Sequence, residues 1–221
     1  ASQSYVKSKN KAAHEIGIYS EQITLPASTS EAELLAVVDK LNRDPKIDGI
    51  LVQLPLPDHI NEEKVINTIH PDKDVDGFHP LNVGKLALGD PTGFSPCTPA
   101  GVHELLVRSG VAIEGAHVVV LGRSRIVGRP VSLILSQKGP HANATVTVCH
   151  SRSKNLAEIC RSADILIAAI GAPRFVKAEM VREGAVVIDV GINRVEDKSA
   201  EKGYRLVGDV DFEPVREKAS L

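Results

Sequence analysis

The chain has 221 residues with a formal net charge of −2, so no whole-molecule field points to DNA or to an anionic membrane as partner. Hydrophobic residues make up 43% and aromatic residues only 3%, with no Trp. The core must therefore be aliphatic, and stacking platforms for single-stranded nucleic acid are lacking. Cys97, Cys149 and Cys160 are too few and too scattered for a disulfide framework, and a reducing compartment such as the cytoplasm fits them. The eight histidines form no HxxxH or HExxH pattern, so no protein-bound catalytic metal is expected. No apolar run reaches the roughly 18 residues of a membrane span. The chain starts at Ala1 rather than Met, which leaves an organelle-targeted form open and suggests that natural ends are missing.

In chain order, SQSYVKSKNKAAHE reads as a helix closed by Gly17, and residues 22–25 as a short strand. Ser30 with Glu33 makes a capping box, opening a helix through about Leu41 whose apolar face is Leu34, Leu35, Val38 and Leu41. The run IDGILVQLPLP places a buried parallel strand at residues 50–54, ended by Pro55 and Pro57. A helix follows at about 62–69. Residues 70–98, rich in Pro, Gly and Asp, read as an ordered loop near a domain junction, and a helix at about 99–109 leads into a second domain. There, apolar strands at 118–122, 145–149, 165–171 and 185–191 alternate with helices near 127–138, 154–161 and 177–182. This is the pattern of a parallel sheet covered on both faces.

Within that domain VVVLGRSRIVG reads as strand, Gly-rich turn and helix start. Gly122 permits the tight turn, Gly128 lets the helix approach the sheet, and the helix N-terminus offers backbone N–H groups to a pyrophosphate. The spacing, G-x-S-x-x-x-G, departs from G-x-G-x-x-G, so its position between strand and helix carries much of the assignment. Between Gly115 and Ala157 there is no Asp or Glu, while Arg123, Arg125, Arg129, Lys138, Arg152 and Lys154 are present. An NAD site usually holds the ribose 2′-OH with a carboxylate after the second strand. Here that strand ends in CHSRSK, where Ser151 and a nearby Arg suit a 2′-phosphate, so NADP is favoured.

In the first half, Tyr5 and Lys9 share a helical face, Gln53 interrupts an apolar strand and needs partners, and Asp74 and Asp76 lie in a tight loop. Singly, each also fits a structural role. Taken together, SYVKSK, DGILVQLPLP, PDKDVDGFHPLNVGKL, PCTPAG, GRSRIVGRP, VIDVGIN and VGDV resemble, in this order, the bifunctional methylenetetrahydrofolate dehydrogenase/methenyltetrahydrofolate cyclohydrolase family.

That resemblance implies a Rossmann-type parallel-sheet NADP-binding domain at 98–221, a smaller α/β folate-binding catalytic domain at 1–97, and a cleft between them. It implies oxidation of 5,10-methylenetetrahydrofolate and hydrolysis of the methenyl product to 10-formyltetrahydrofolate, in one-carbon metabolism serving purine biosynthesis, by a homodimer. Lys9, Gln53 and Asp76 are then the catalytic set, with Lys9 as the reactive amine, Gln53 bonded to it and Asp76 holding the pterin. Tyr5, Val52 and Leu54 join these three in binding the folate. Thr98, Gly122, Arg123, Ser124, Ser151 and Ile192 contact the cofactor. The family also carries an N-terminal helix and strand before the position of Ala1, and a Pro-Gly-Gly-rich loop and final helix beyond Leu221; without them one wall of the folate pocket is expected to be missing. Two rival readings are a shikimate-like two-domain dehydrogenase, which does not explain Tyr5, Gln53 and Asp76 together, and a catalytically silent nucleotide-binding module, whose mark would be loss of Lys9 or of the Gly-rich loop, both of which are present.

Overall fold

A computed structural model describes residues 2–221, with side chains from residue 6 onward except that of Lys7. It divides into two compact units, Ala1–Asp74 and Val75–Leu221. The sequence had suggested a boundary at 97/98. Compactness groups the intervening stretch with the second unit because its helix α4 (Pro80–Leu88) packs on α6 (Gly128–Ser136), where the Gln137 side chain donates to the Leu86 carbonyl at 2.6 Å.

The first unit carries α1 (Ser2–Glu15), α2 (Glu31–Arg43) and α3 (Glu62–Thr68). The capping box of α2 forms as expected: the Ser30 hydroxyl accepts from the Glu33 N–H, and the Glu33 carboxylate accepts from the Ser30 N–H at 2.8 Å. Leu34 and Val38 of α2 pack with Val65 of α3 and with Ile50, Ile60 and Ile69 in one aliphatic cluster. Two expected strands do not form. Residues 22–25 are irregular, and the run 50–54 makes only an isolated parallel bridge, Ile50 to Asp74. A strand needs a ladder, and among the described residues no neighbouring strand offers one; Pro55 and Pro57 also withhold their N–H groups. What anchors this segment is the Ile50 N–H donating to the Lys73 carbonyl at 2.7 Å, while the Lys73 ammonium donates to the Leu41, Asn42 and Asp44 carbonyls at the end of α2.

In the second unit, α4 lies where the sequence suggested a loop. Its signals were Pro80 at the first turn, the His79 ring accepting from the Leu81 N–H, and Gly89 left-handed at φ 73° just past its end. Pro- and Gly-rich flanks and Gly84 in its middle hid them. Helix α5 (Cys97–Arg108) precedes a four-stranded parallel sheet of order β2-β1-β3-β4, built from β1 (His117–Leu121), β2 (Thr145–Cys149), β3 (Ile165–Ala168) and β4 (Val186–Asp189). Strands β1 and β3 are buried on both faces, which is why they read as unbroken aliphatic runs. Val118, Val120, Ile165 and Ile167 pack with Val102 and Leu106 of α5 and Val131 and Leu135 of α6. Val119, Leu121, Leu166 and Ala168 face the opposite layer, which includes Cys160 of α7 (Leu156–Arg161) and Val215 of α8 (Phe212–Arg216). An antiparallel ribbon, β5 (Asn193–Glu196) with β6 (Tyr204–Val207), was not anticipated. The expected helix near 177–182 is a single 3-10 turn, Ala178–Met180. Among the described residues no helix is long and apolar enough to cross a membrane.

Candidate functional site

The chain runs from β1 to β2 on one side, then crosses to β3 on the other side of β1. That reversal opens a crevice at the carboxyl ends of β1 and β3, where open α/β sheets bind their ligands. The Gly-rich turn sits there. The Gly122 N–H donates to the Cys149 carbonyl at 2.9 Å, and the Ala169 N–H to the Leu121 carbonyl at 2.8 Å, so the turn leaves the sheet in tight contact with β3. Gly122 has φ +116°, and a Cβ built on it would lie 2.1 Å from the Ala169 carbonyl oxygen. A Cβ on Gly128 would lie 2.2 Å from the Gly122 carbonyl oxygen. Only glycine fits either place. The Ser124 hydroxyl accepts from the Val127 and Gly128 N–H groups at 3.1 and 3.3 Å, shaping the turn as it enters α6.

These features fit a dinucleotide. The cradle brings backbone close to a pyrophosphate, the α6 N-terminus favours negative charge, and Arg123 and Ser151 are both exposed, with no acid between Gly115 and Ala157 to repel a phosphate. Thr98 is exposed in the first turn of α5, and Ile192 is 70% exposed beyond β4. The structure thus gathers Gly122 and Ser124 into one turn and leaves Arg123, Ser151, Thr98 and Ile192 open to solvent.

Two carboxylates at this edge, Asp189, which is exposed, and Asp209, which is buried, were not among the functional candidates read from the sequence. Asp189, ending β4, accepts from the Gly191 and Asp209 N–H groups at 2.9 Å through Oδ1 and from Val210 at 3.0 Å through Oδ2. Asp209 accepts from the Ile170 and Gly171 N–H groups at 2.7 and 3.0 Å through Oδ2, and from the Asn193 amide at 2.8 Å through Oδ1. Their signal was the pairing of each acid with a glycine, in IDVG and VGDV. A Cβ on Gly191 would fall 2.4 Å from Asp209 Cγ, and one on Gly208 would fall 1.7 Å from Asp189 Oδ2.

In the first unit, Lys9 is half-buried on α1, and Val52, Gln53 and Leu54 are half-buried in the segment after Ile50. The Tyr5 side chain lies outside the described residues. The Gln53 amide donates to the Leu54 carbonyl at 2.9 Å, while its Oε1 is buried and finds no hydrogen-bond partner among the described residues. An orphaned acceptor of that kind costs stability unless a donor completes it. Asp76, at the start of the second unit and two residues beyond the Ile50 to Asp74 bridge, is half-buried. Among the described residues no group of three or more His, Cys, Asp or Glu could hold a metal ion.

Residues 1–76 match the catalytic domain of tetrahydrofolate dehydrogenase/cyclohydrolase, and residues 96–221 match the NAD(P)-binding domain of the same enzymes. The chain is 60% identical over 220 residues to the bifunctional protein FolD of Dehalococcoides mccartyi strain CBDB1, covering 99% of this chain and 73% of that protein. It superposes on the bifunctional FolD methylenetetrahydrofolate dehydrogenase/cyclohydrolase of Campylobacter jejuni with a TM-score of 0.91 at 49% identity, over 99% of this chain and 74% of that one. The Trypanosoma brucei enzyme, solved with NADP cofactor and inhibitor, gives 0.92 at 43% identity, over 99% and 73%. Both halves of the chain match domains of one enzyme family, which leaves the shikimate-like reading without support. The chain belongs to the tetrahydrofolate dehydrogenase/cyclohydrolase family.

Proposed function

We propose that the chain oxidises 5,10-methylenetetrahydrofolate with NADP+ and hydrolyses the resulting methenyl compound to 10-formyltetrahydrofolate. The observation that carries this reading is the glycine cradle at the sheet's switch point, in a chain whose two halves both match that family. A bound NADP+ supplies the hydride acceptor. The protein's part in that step is alignment, since hydride transfer needs no acid or base on carbon. Gly122, Ser124 and the α6 N-terminus take the pyrophosphate, Arg123 and Ser151 take the 2′-phosphate, and Thr98 and Ile192 border the cofactor. Arginine beside an acid-free segment favours NADP over NAD.

Hydrolysis asks for more. Water must be activated against a cationic carbon and protons moved between nitrogen and oxygen, which suits a lysine amine in a partly dry site. Lys9 takes that role. The orphaned Gln53 Oε1 supports it, because it offers an acceptor for an ammonium or for a folate N–H. Asp76 accepts from the pterin, and Tyr5, Val52 and Leu54 line the folate. The enzyme works as a homodimer in the cytoplasm.

The test is a parallel assay of both steps in the full-length protein and its Lys9→Met variant, with circular dichroism as the folding check. Cyclohydrolase activity falls at least about a hundredfold, the range for losing a general acid–base group, while oxidation persists and the methenyl compound accumulates. A folded variant with near-normal hydrolysis rejects the role of Lys9. Equal loss of both activities makes Lys9 a positioning group.

A further inference from the structure

Asp209 has no exposed surface, and neither the cofactor nor the folate reading gives it a part. A carboxylate is not left in such a place without a task, because burial penalises the charge unless several donors meet it. Its donors are informative. Ile170 and Gly171 directly follow Ala169, whose carbonyl packs against the Gly122 turn, and the Ile170 side chain stands 3.6 Å from the position a Gly122 Cβ would take. Asn193 opens β5, where the loop leaving β4 through Ile192 ends. One side chain therefore ties the backbone after β3 to the loop after β4, both at the carboxyl edge of the sheet. Asp189 secures the Asp209 backbone in turn, by accepting its N–H at 2.9 Å. Gly191 and Gly208 clear the space both acids need.

We propose that Asp209 is a positioning residue for the dinucleotide: its carboxylate holds the loops after β3 and β4 in the spacing that the cofactor requires. The proposal rests on the reading of this edge as the NADP site. The bonds that tie the two loops are made by the protein itself, so the cofactor's binding does not have to supply that order.

The experiment compares Asp209→Leu, which keeps the bulk and removes the acceptors, with Asp209→Asn, which keeps an acceptor for Ile170 and Gly171 and lets the Asn193 amide turn to meet its new donor. Full-length protein is titrated with NADP+ by calorimetry, and the KM for methylenetetrahydrofolate is measured alongside. Asp209→Leu weakens NADP+ binding at least tenfold with the folate KM changed less than about threefold, and Asp209→Asn restores affinity to within about threefold of the parent. Normal NADP+ binding in a folded Asp209→Leu variant overturns the proposal, as does equal loss toward both ligands. If Asp209→Leu does not fold, Asn193→Ala decides, since it frees only the loop after β4: weakened NADP+ affinity supports the proposal and parental affinity overturns it. A parent protein that binds no NADP+ would instead sink the assignment of the cofactor site itself.

Discussion

Gly122→Ala is the substitution whose consequence follows most directly from the geometry. Two costs add. The backbone at φ +116° lies where L side chains are rarely found, a strain of roughly 1–2 kcal/mol. The new methyl would also sit 2.1 Å from the Ala169 carbonyl oxygen, far inside contact distance, and the obstacle is backbone, which cannot swing aside as a flexible side chain would. Relief requires β1 and β3 to separate beyond their last paired residues, Leu121 and Ala168, at an overpacking cost of roughly 1–3 kcal/mol. The sum is about 2–5 kcal/mol. If the turn holds the cofactor as proposed, NADP+ affinity falls at least about tenfold, which is ~1.4 kcal/mol. Urea unfolding followed by circular dichroism measures the first effect and calorimetric titration the second. Gly101→Ala is the internal control. That glycine lies inside α5 with nothing within 4 Å of a new Cβ, so alanine there stabilises by about 0.5–1 kcal/mol through helix propensity. A Gly122→Ala protein within 0.5 kcal/mol of the parent, a margin set by ordinary surface substitutions, and with parental NADP+ affinity would refute the reasoning.

Asp76→Ala weakens folate binding by about 2 kcal/mol, as expected for losing a charge-assisted acceptor, and leaves NADP+ affinity nearly unchanged; an equal loss in both titrations makes Asp76 a turn residue. The parent enzyme prefers NADP+ over NAD+ by at least roughly tenfold in kcat/KM, and Arg123→Ala erodes that preference through NADP+; equal use of both cofactors by the parent contradicts it. At the amino edge of the sheet, the His117 N–H and then the Arg182 guanidinium hold the Asp164 carboxyl below its ordinary value. A depressed carboxyl adds stability that is complete above its unfolded pKa and is lost as the pH falls through the folded one. Arg182→Ala lets the folded value rise, so acid unfolding begins at a higher pH; because the pair is nearly half exposed, stability at neutral pH changes little.

The second unit was largely legible in the sequence because each of its signals is local. Aliphatic runs such as VVVL and ILIA can be nothing but buried strands when helical segments separate them, and Gly122 and Gly128 bracket a turn whose position between strand and helix is its meaning. The α2 capping box was equally local. What escaped depended on partners. The run LVQL has the composition of a strand, but a strand is made by its neighbours, and among the described residues Ile50 bridges only to Asp74. The β5–β6 ribbon pairs Asn193 with Val207 across a charged connection, and neither strand alone carries a strong pattern. Asp189 fell within the strand read at 185–191 and Asp209 carried no pattern of its own; their bonding appears only when Gly191 and Gly208 are seen to lie against them. In the first unit the structure adds to the sequence's candidates a buried acceptor, the orphaned Gln53 Oε1, that composition alone could not reveal.

The most direct measurement is NADP+ reduction by the full-length protein with and without 5,10-methylenetetrahydrofolate, while the folate products are separated by chromatography. The proposed function requires reduction only when that folate is present, with 10-formyltetrahydrofolate accumulating as the end product. Folded protein that binds NADP+ but neither reduces it with methylenetetrahydrofolate nor converts the methenyl compound would contradict it and would return the chain to the class of silent nucleotide-binding modules.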